Sequence, residues 1–273
     1  MGLFAMTAIA LTIAGSDSGG GAGIQADLKT FSALGVYGAS VITALTAQNT
    51  LGVTGIHDVP VDFVAAQMNA VYSDLAITAT KIEMLSLPAT IETVARGLDR
   101  HKARNIVLDP VMVAASGDPL LKPEAIETLK HELIPRALVV TPNLHEAATL
   151  TGLPLARDEA AMRAQGEALL ALGARAVLVK GGHGEGPEAV DVLVESSGVR
   201  RFAARRIATR NTHGTGCTLS SAIAAGLAKG MPLADSVAVA KDYVSAAIAA
   251  SEQLKIGKGR GPVHHFHAVW PKA

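Results

Sequence analysis

Residues 211–220 read Asn-Thr-His-Gly-Thr-Gly-Cys-Thr-Leu-Ser and hold the only cysteine in a chain of 273 residues. A glycine–threonine turn that enters an alanine-rich helical pattern presents backbone N–H groups at a helix N-terminus, where an anion can be held. A thiol in that first turn feels the positive end of the helix dipole, which lowers its pKa from about 8.5 toward neutrality, and a charged His213 would reinforce the effect. Such a group can accept a proton from a substrate hydroxyl; the plainer alternative is a small core hydrophobe. A Cys/His hydrolase is disfavoured, because Gly-Thr-Gly-Cys is no nucleophile elbow and no Ser/Asp partner arrangement is visible.

Other chemistry-bearing residues stand where short apolar runs end. They are Gly15-Ser16-Asp17 followed by Ser-Gly-Gly-Gly-Ala-Gly, Thr46-Ala47-Gln48-Asn49, Lys81, Asp109-Pro110, Thr141-Pro142-Asn143 with Glu146, and Lys180-Gly181-Gly182-His183. In an open parallel sheet, ligands bind at the carboxyl ends of the strands. Asp109 and Glu146 could orient Mg²⁺ or its waters, Lys180 could approach nucleotide phosphates, and the turn at 214–216 could hold the transferring group. Phosphoryl transfer needs little beyond such positioning and charge stabilisation. No Walker-type loop occurs, and neither Ser18–Gly23 nor Gly181–Gly186 completes G-x-G-x-x-G, which argues against P-loop enzymes and Rossmann dehydrogenases. Each strand-end carboxylate taken alone could equally be a helix cap.

The elements that must position these groups alternate. Apolar runs at 8–15, 40–46, 76–82, 105–110, 137–142 and 176–182 read as buried strands, with helical stripes between them. Ile24, Leu28, Phe31 and Leu34 form one stripe, and Val61, Val64, Met68, Val71 and Leu75 another. Asp158 is an N-cap candidate for a helix ending before Gly173, and Leu219, Ile223 and Leu227 mark a helix closing at Gly230. Residues 187–210 read as a β-hairpin at one sheet edge, its arginines 200, 201, 205, 206 and 210 on a solvated face. The pattern predicts a three-layer α/β/α sandwich in one domain, 1–273, with a mostly parallel central sheet and an edge β-hairpin.

Composition narrows the partners. Lys and Arg number 24, as do Asp and Glu, so a general attraction to nucleic acid or anionic lipid is not expected. Aromatic residues make up 3%, too few for base-stacking platforms. The uncharged stretch 30–56 contains Gln48, Asn49 and four glycines and suits buried strand and turn, not a membrane span, while 1–16 lacks a basic n-region and suits a first strand. One cysteine fits a reducing, cytoplasmic setting. His264, His265 and His267 have no carboxylate or cysteine set at zinc spacing, which favours packing or capping.

The ordered segments at 10–31, 37–53, 80–85, 108–121, 141–147, 177–183, 211–230 and 257–268 resemble the hydroxymethylpyrimidine/phosphomethylpyrimidine kinases of the ribokinase-like superfamily, and the match runs from about Ala8 to His267. The resemblance implies a usually dimeric enzyme that uses ATP and Mg²⁺ to phosphorylate 4-amino-5-hydroxymethyl-2-methylpyrimidine and then its monophosphate, in thiamine biosynthesis. A pyridoxal-type kinase shares the fold and stays open. By matched motif, the resemblance implies that Gln48 bonds the aminopyrimidine, that Ala22, Met84 and Val111 line its pocket, and that Asp27 adds a polar contact. It implies an anion hole of Gly214, Thr215 and Gly216, Mg²⁺ near Asp109 and Glu146, and nucleotide phosphates near Asn143 and Lys180. Cys217 falls where sugar kinases of the superfamily place an aspartate base, and serves as a base or as an orienting group. A thiol there would repel an incoming monophosphate less than a carboxylate. The chain departs from the family's usual Lys-[Ile/Thr]-Gly-Met-Leu at Glu83, which either points to solvent or alters substrate preference.

Overall fold

The structure, a computed structural model, describes residues 7–113, 121, 123–182, 184 and 186–271. Expectations that touch residues 1–6, 114–120 and His183 lie outside the described residues. Nine strands form one sheet in the order β3-β2-β1-β4-β5-β6-β7-β8-β9. β1 (Ile9–Asp17), β2 (Tyr37–Asn49), β4 (Ala79–Ile82), β5 (Ile106–Leu108), β6 (Val139–Val140) and β7 (Ala176–Lys180) are the six apolar runs of the sequence, and they pair in parallel. β8 (Glu188–Glu195) and β9 (Gly198–Arg205) make the expected antiparallel hairpin against β7.

β3 (Gly52–Asp58) was not expected. It folds back antiparallel on β2 at the other edge, and its largely exposed residues leave no apolar run to betray it.

Alternation along the inner strands splits the core in two. Leu11, Ile13, Ile82 and Leu108 face one layer, which is completed by α2 (Val61–Asp74), α3 (Pro88–Arg100), α4 (Pro123–Glu132), α5 (Leu144–Thr151) and α6 (Glu159–Ala171). Ala10, Ala79, Val107, Val139 and Ala176 face the other, under α1 (Gly23–Ala33), α7 (Thr215–Ala228) and α8 (Leu233–Ala249). Small strand residues meet the alanine-rich face of α7, so that helix lies close to the sheet. Asp158 caps α6 by accepting from Ala161 N (2.8 Å), as its position predicts.

β1 pairs with β2 on one side and β4 on the other, so the chain reverses direction across the sheet at β1. A crevice opens at such a point beyond the carboxyl ends of the strands.

Candidate active site

A cavity of about 640 Å³ occupies that crevice. β1 delivers Asp17 to its rim, β4 delivers Glu83 and Met84, β5 Asp109, the step after β6 Asn143, and β7 Lys180.

The centre is an ion pair. Lys180 Nζ donates to Asp109 Oδ1 at 2.7 Å, and Ser220 from α7 donates to Asp109 Oδ2 at 3.0 Å. The pair raises Lys180 against the lowering effect of burial, so the ammonium keeps its charge. Directly above, the turn into α7 closes over it. A Cβ built on Gly216 would sit 3.4 Å from Lys180 Nζ, and one on Gly214 only 1.8 Å from Gly21 O, with Gly214 at φ +76°. Only glycine fits that second position, where the two glycine-rich turns cross. The α7 N-terminus therefore faces a cation that can hold a phosphoryl group from the other side.

Asn143 and Glu146 form a capping box at the start of α5: Asn143 Oδ1 accepts from His145 N and Glu146 N at 2.9 Å each, and Glu146 Oε2 accepts from Asn143 N at 2.7 Å. Burial pushes the Glu146 carboxyl up to about 7; Lys180 opposes that and the nearby Asp109 charge adds to it. A carboxylate pair held together against desolvation and mutual repulsion suits a divalent cation. Among the described residues no group of three or more His, Cys, Asp or Glu side chains is arranged as a metal cage, so a cation here would draw its remaining ligands from water and substrate phosphates, the habit of Mg²⁺.

At the opposite side, Asp17 is held by its own turn. Burial raises its carboxyl, but His213 Nε2 (2.8 Å) together with the N–H groups of Ala22 (2.9 Å) and Gly19 (2.8 Å) more than offsets that and keeps it below the usual carboxylate range. Gln48 also lines the cavity, its Oε1 accepting from Thr46 Oγ1 at 3.1 Å, as do Ala22, Met84 and Val111.

The cavity thus brings together Gly214, Thr215, Gly216, Cys217, Gln48, Ala22, Met84, Val111, Asn143, Lys180, Asp109 and Glu146. Asp27 is not with them. It is fully buried on the inner face of α1, where Thr12 (2.6 Å), Ser221 (2.6 Å) and Lys81 (2.8 Å to each oxygen) take up its carboxylate. Its carboxylate ties Lys81 to the middle of α7.

Cys217 also differs from expectation. Burial and then the Glu83 charge push the thiol well above its ordinary value, with Lys81 opposing and Asp27 and Asp109 adding to the rise. The His213 ring is turned to Asp17. Three carboxylates in a desolvated pocket outweigh one helix dipole, so the resting group is a thiol.

Of the two alternatives for Glu83, solvent or the pocket, the structure has the second: it is 2% exposed and lines the cavity. Sequence reasoning missed other residues lining the cavity. Arg206, read as part of a solvated hairpin face, borders it and pins the loop after β7 by donating to the carbonyls of Gly182 (2.6 Å), Gly186 (3.0 Å) and Glu188 (3.1 Å). Arg201 does lie on that solvated face, paired with Glu159 and Glu188. In the C-terminal histidine cluster, His264 meets Trp270 edge-on, and His265 Nε2 lies 3.0 Å from Thr218 Oγ1.

Comparison with known proteins decides the family. The family model described as phosphomethylpyrimidine kinase matches residues 17–264. The chain belongs to the phosphomethylpyrimidine kinase family. It is 64% identical over 265 residues to a hydroxymethylpyrimidine/phosphomethylpyrimidine kinase of Rhizobium meliloti (strain 1021), covering 97% of this chain and 99% of that one. It is 58% identical to the protein of the same description in Salmonella typhimurium, over 96% and 98% of the two chains. Among solved structures, the phosphomethylpyrimidine kinase of Clostridium difficile 630 superposes with a TM-score of 0.79 at 46% identity, over 88% of this chain and 99% of that one. The Staphylococcus aureus pyridoxal kinase in complex with AMP-PCP and pyridoxal gives 0.88 at 31% identity, over 96% and 95%. Backbone similarity spans both ring specificities, whereas sequence identity is higher for the pyrimidine kinases.

Proposed function

We propose that the chain, acting as one kinase domain over 1–273, transfers the γ-phosphoryl group of ATP to the hydroxymethyl oxygen of 4-amino-5-hydroxymethyl-2-methylpyrimidine and then a second group to the monophosphate, in thiamine biosynthesis. The observation that carries this reading is the Lys180–Asp109 pair beneath the Gly214–Gly216 turn, at the switch point of the sheet. The fit of the relatives' printed descriptions supports the choice of ring.

In this reading, Gln48 with Ala22, Met84 and Val111 orients the ring so that its hydroxymethyl group reaches Cys217. Asn143 and Lys180 receive the nucleotide phosphates, and the backbone N–H groups of 214–216 take the negative charge that builds on the transferring oxygens. Asp109 and Glu146 hold Mg²⁺, which supplies charge neutralisation of the phosphates when bound. Cys217, a neutral thiol at rest, orients the hydroxyl more than it captures the proton. That is compatible with a loose transition state, in which the base contributes modestly. Neutrality also lets the monophosphate return to the same position for the second transfer.

The reading includes a cytoplasmic homodimer, which light scattering after size-exclusion chromatography tests for the dimer. Among the described residues no helix is long and apolar enough to cross a membrane. The function is tested by ADP release with hydroxymethylpyrimidine, its monophosphate and pyridoxal as separate acceptors, with Mg²⁺ present or chelated. Turnover of both pyrimidines that needs the metal is expected; turnover of pyridoxal alone would overturn the assignment.

A further inference from the structure

Glu83 stands just beyond β4, where the backbone turns through Met84 at φ +47°, and its side chain is 2% exposed and faces the cavity. Lys81 Nζ lies 2.6 Å from Glu83 Oε2, a buried oxygen, and 2.8 Å from both oxygens of Asp27. Two carboxylates therefore share one ammonium. Asp27 is closed off by Thr12 and Ser221, whereas Glu83 lines the cavity. A buried carboxylate that shares one ammonium with another is incompletely satisfied, and a ligand that brings an N–H to its cavity side supplies a further donor.

Its neighbours place it near the reacting atoms. The titratable groups that act on it are Lys81 on its own strand, Asp27 on α1 and Asp109 after β5, and among the charged groups acting on the Cys217 thiol Glu83 weighs most. On the hydroxymethylpyrimidine ring, the carbon next to the one bearing the hydroxymethyl group carries an amino group, which offers N–H donors. On pyridoxal the corresponding carbon carries a formyl group, which can only accept. The two rings thus present opposite hydrogen-bonding character beside the same reacting arm.

We infer that Glu83 is a specificity-determining residue, whose carboxylate accepts a hydrogen bond from the amino group beside the reacting hydroxymethyl arm and rejects a ring that places an acceptor there. The inference rests on the pyrimidine kinase reading given above. A site that provides an acceptor for a substrate N–H discriminates strongly against an analogue that lacks it. Glycine, the residue the family's pattern usually has here, has no group to do this; Glu83 adds a filter of this chain's own.

The test compares parent, Glu83→Gln and Glu83→Gly for kcat/KM on hydroxymethylpyrimidine and pyridoxal with ATP and Mg²⁺, and for the Kd of each ring by calorimetry without nucleotide. Glu83→Gly is expected to weaken hydroxymethylpyrimidine binding at least tenfold, mainly through KM, and to lower the preference over pyridoxal at least tenfold. Glu83→Gln, near-isosteric and able to donate as well as accept, is expected to gain on pyridoxal. If both variants melt as folded proteins and keep the parent's ring preference within twofold, the role of Glu83 is overturned while the kinase reading stands. A parent that turns over no hydroxymethylpyrimidine overturns both.

Discussion

Replacing Glu83 by glutamine should change how stability depends on pH, in a direction the geometry sets. The carboxyl is buried beside an ammonium that it shares with Asp27; desolvation outweighs the Lys81 charge and the group is pushed up from 4.5 to about 7, with Asp27 and Asp109 adding to the rise. The folded protein then holds this proton more tightly than the unfolded chain does. A raised carboxyl costs nothing below about pH 4.5, costs more as the pH climbs, and costs its full amount above about pH 7. At about 1.4 kcal/mol per pH unit, the gap amounts to about 3 kcal/mol. Glutamine keeps the shape and removes the titration. Urea unfolding of parent and Glu83→Gln, paired at each pH and checked for a common m-value, should show the variant's relative stability improving by about 3 kcal/mol between pH 4.5 and pH 8. A difference that is flat with pH, or that favours the parent more at pH 8, would mean that Lys81 fully compensates an ionised Glu83.

Four further outcomes follow from the site. Asp109→Asn leaves Lys180 without its carboxylate partner and should lower kcat at least about 100-fold, measured by coupled ADP release, and also lower the melting temperature, because a buried ammonium is left uncompensated. Gly214→Ala must move Gly21 O out of the way and adopt a left-handed conformation that costs about 1–2 kcal/mol by itself, so both the melting temperature and activity should fall. Cys217→Asp is expected to keep much of the first transfer and lose the second relative to Cys217→Ala, because a fixed charge repels the monophosphate; equal second-step rates in the aspartate variant and the parent would remove the charge argument. The parent's thiol should also react with iodoacetamide at pH 7.5 more slowly than a free cysteine, since it is held protonated.

Much of this was legible in the chain, for reasons that can be named. The six parallel strands are continuous apolar runs because both faces are covered, and a run of that kind is visible without any partner. Polar residues at their ends are brought together by topology, so reading the strand ends in order found Asp109, Asn143, Glu146 and Lys180 before any distance was known. β3 escaped because an exposed edge strand owes its pairing to β2 and not to its own pattern. Asp27 was misplaced because a helical position gives no sign of which partner lies beneath it; Thr12, Lys81 and Ser221 arrive from three separate segments. The helix dipole acting on Cys217 is a local property, while the burial that raises the thiol most, and the carboxylates on α1 and after β4 and β5 that add to it, exist only in the folded chain. Glu83 was ambiguous for the same reason, since burial of a charge depends on a neighbour such as Lys81 that only the folded sheet supplies.

In the proposed function one cavity performs two successive phosphoryl transfers on one hydroxymethyl arm. Phosphorus NMR of the product formed from hydroxymethylpyrimidine, excess ATP and Mg²⁺ tests it directly. The prediction is an early single resonance of a phosphate monoester, replaced in time by the two mutually coupled resonances of a diphosphate ester distinct from those of ADP. Accumulation of inorganic phosphate with no phosphorylated pyrimidine at any time would contradict it.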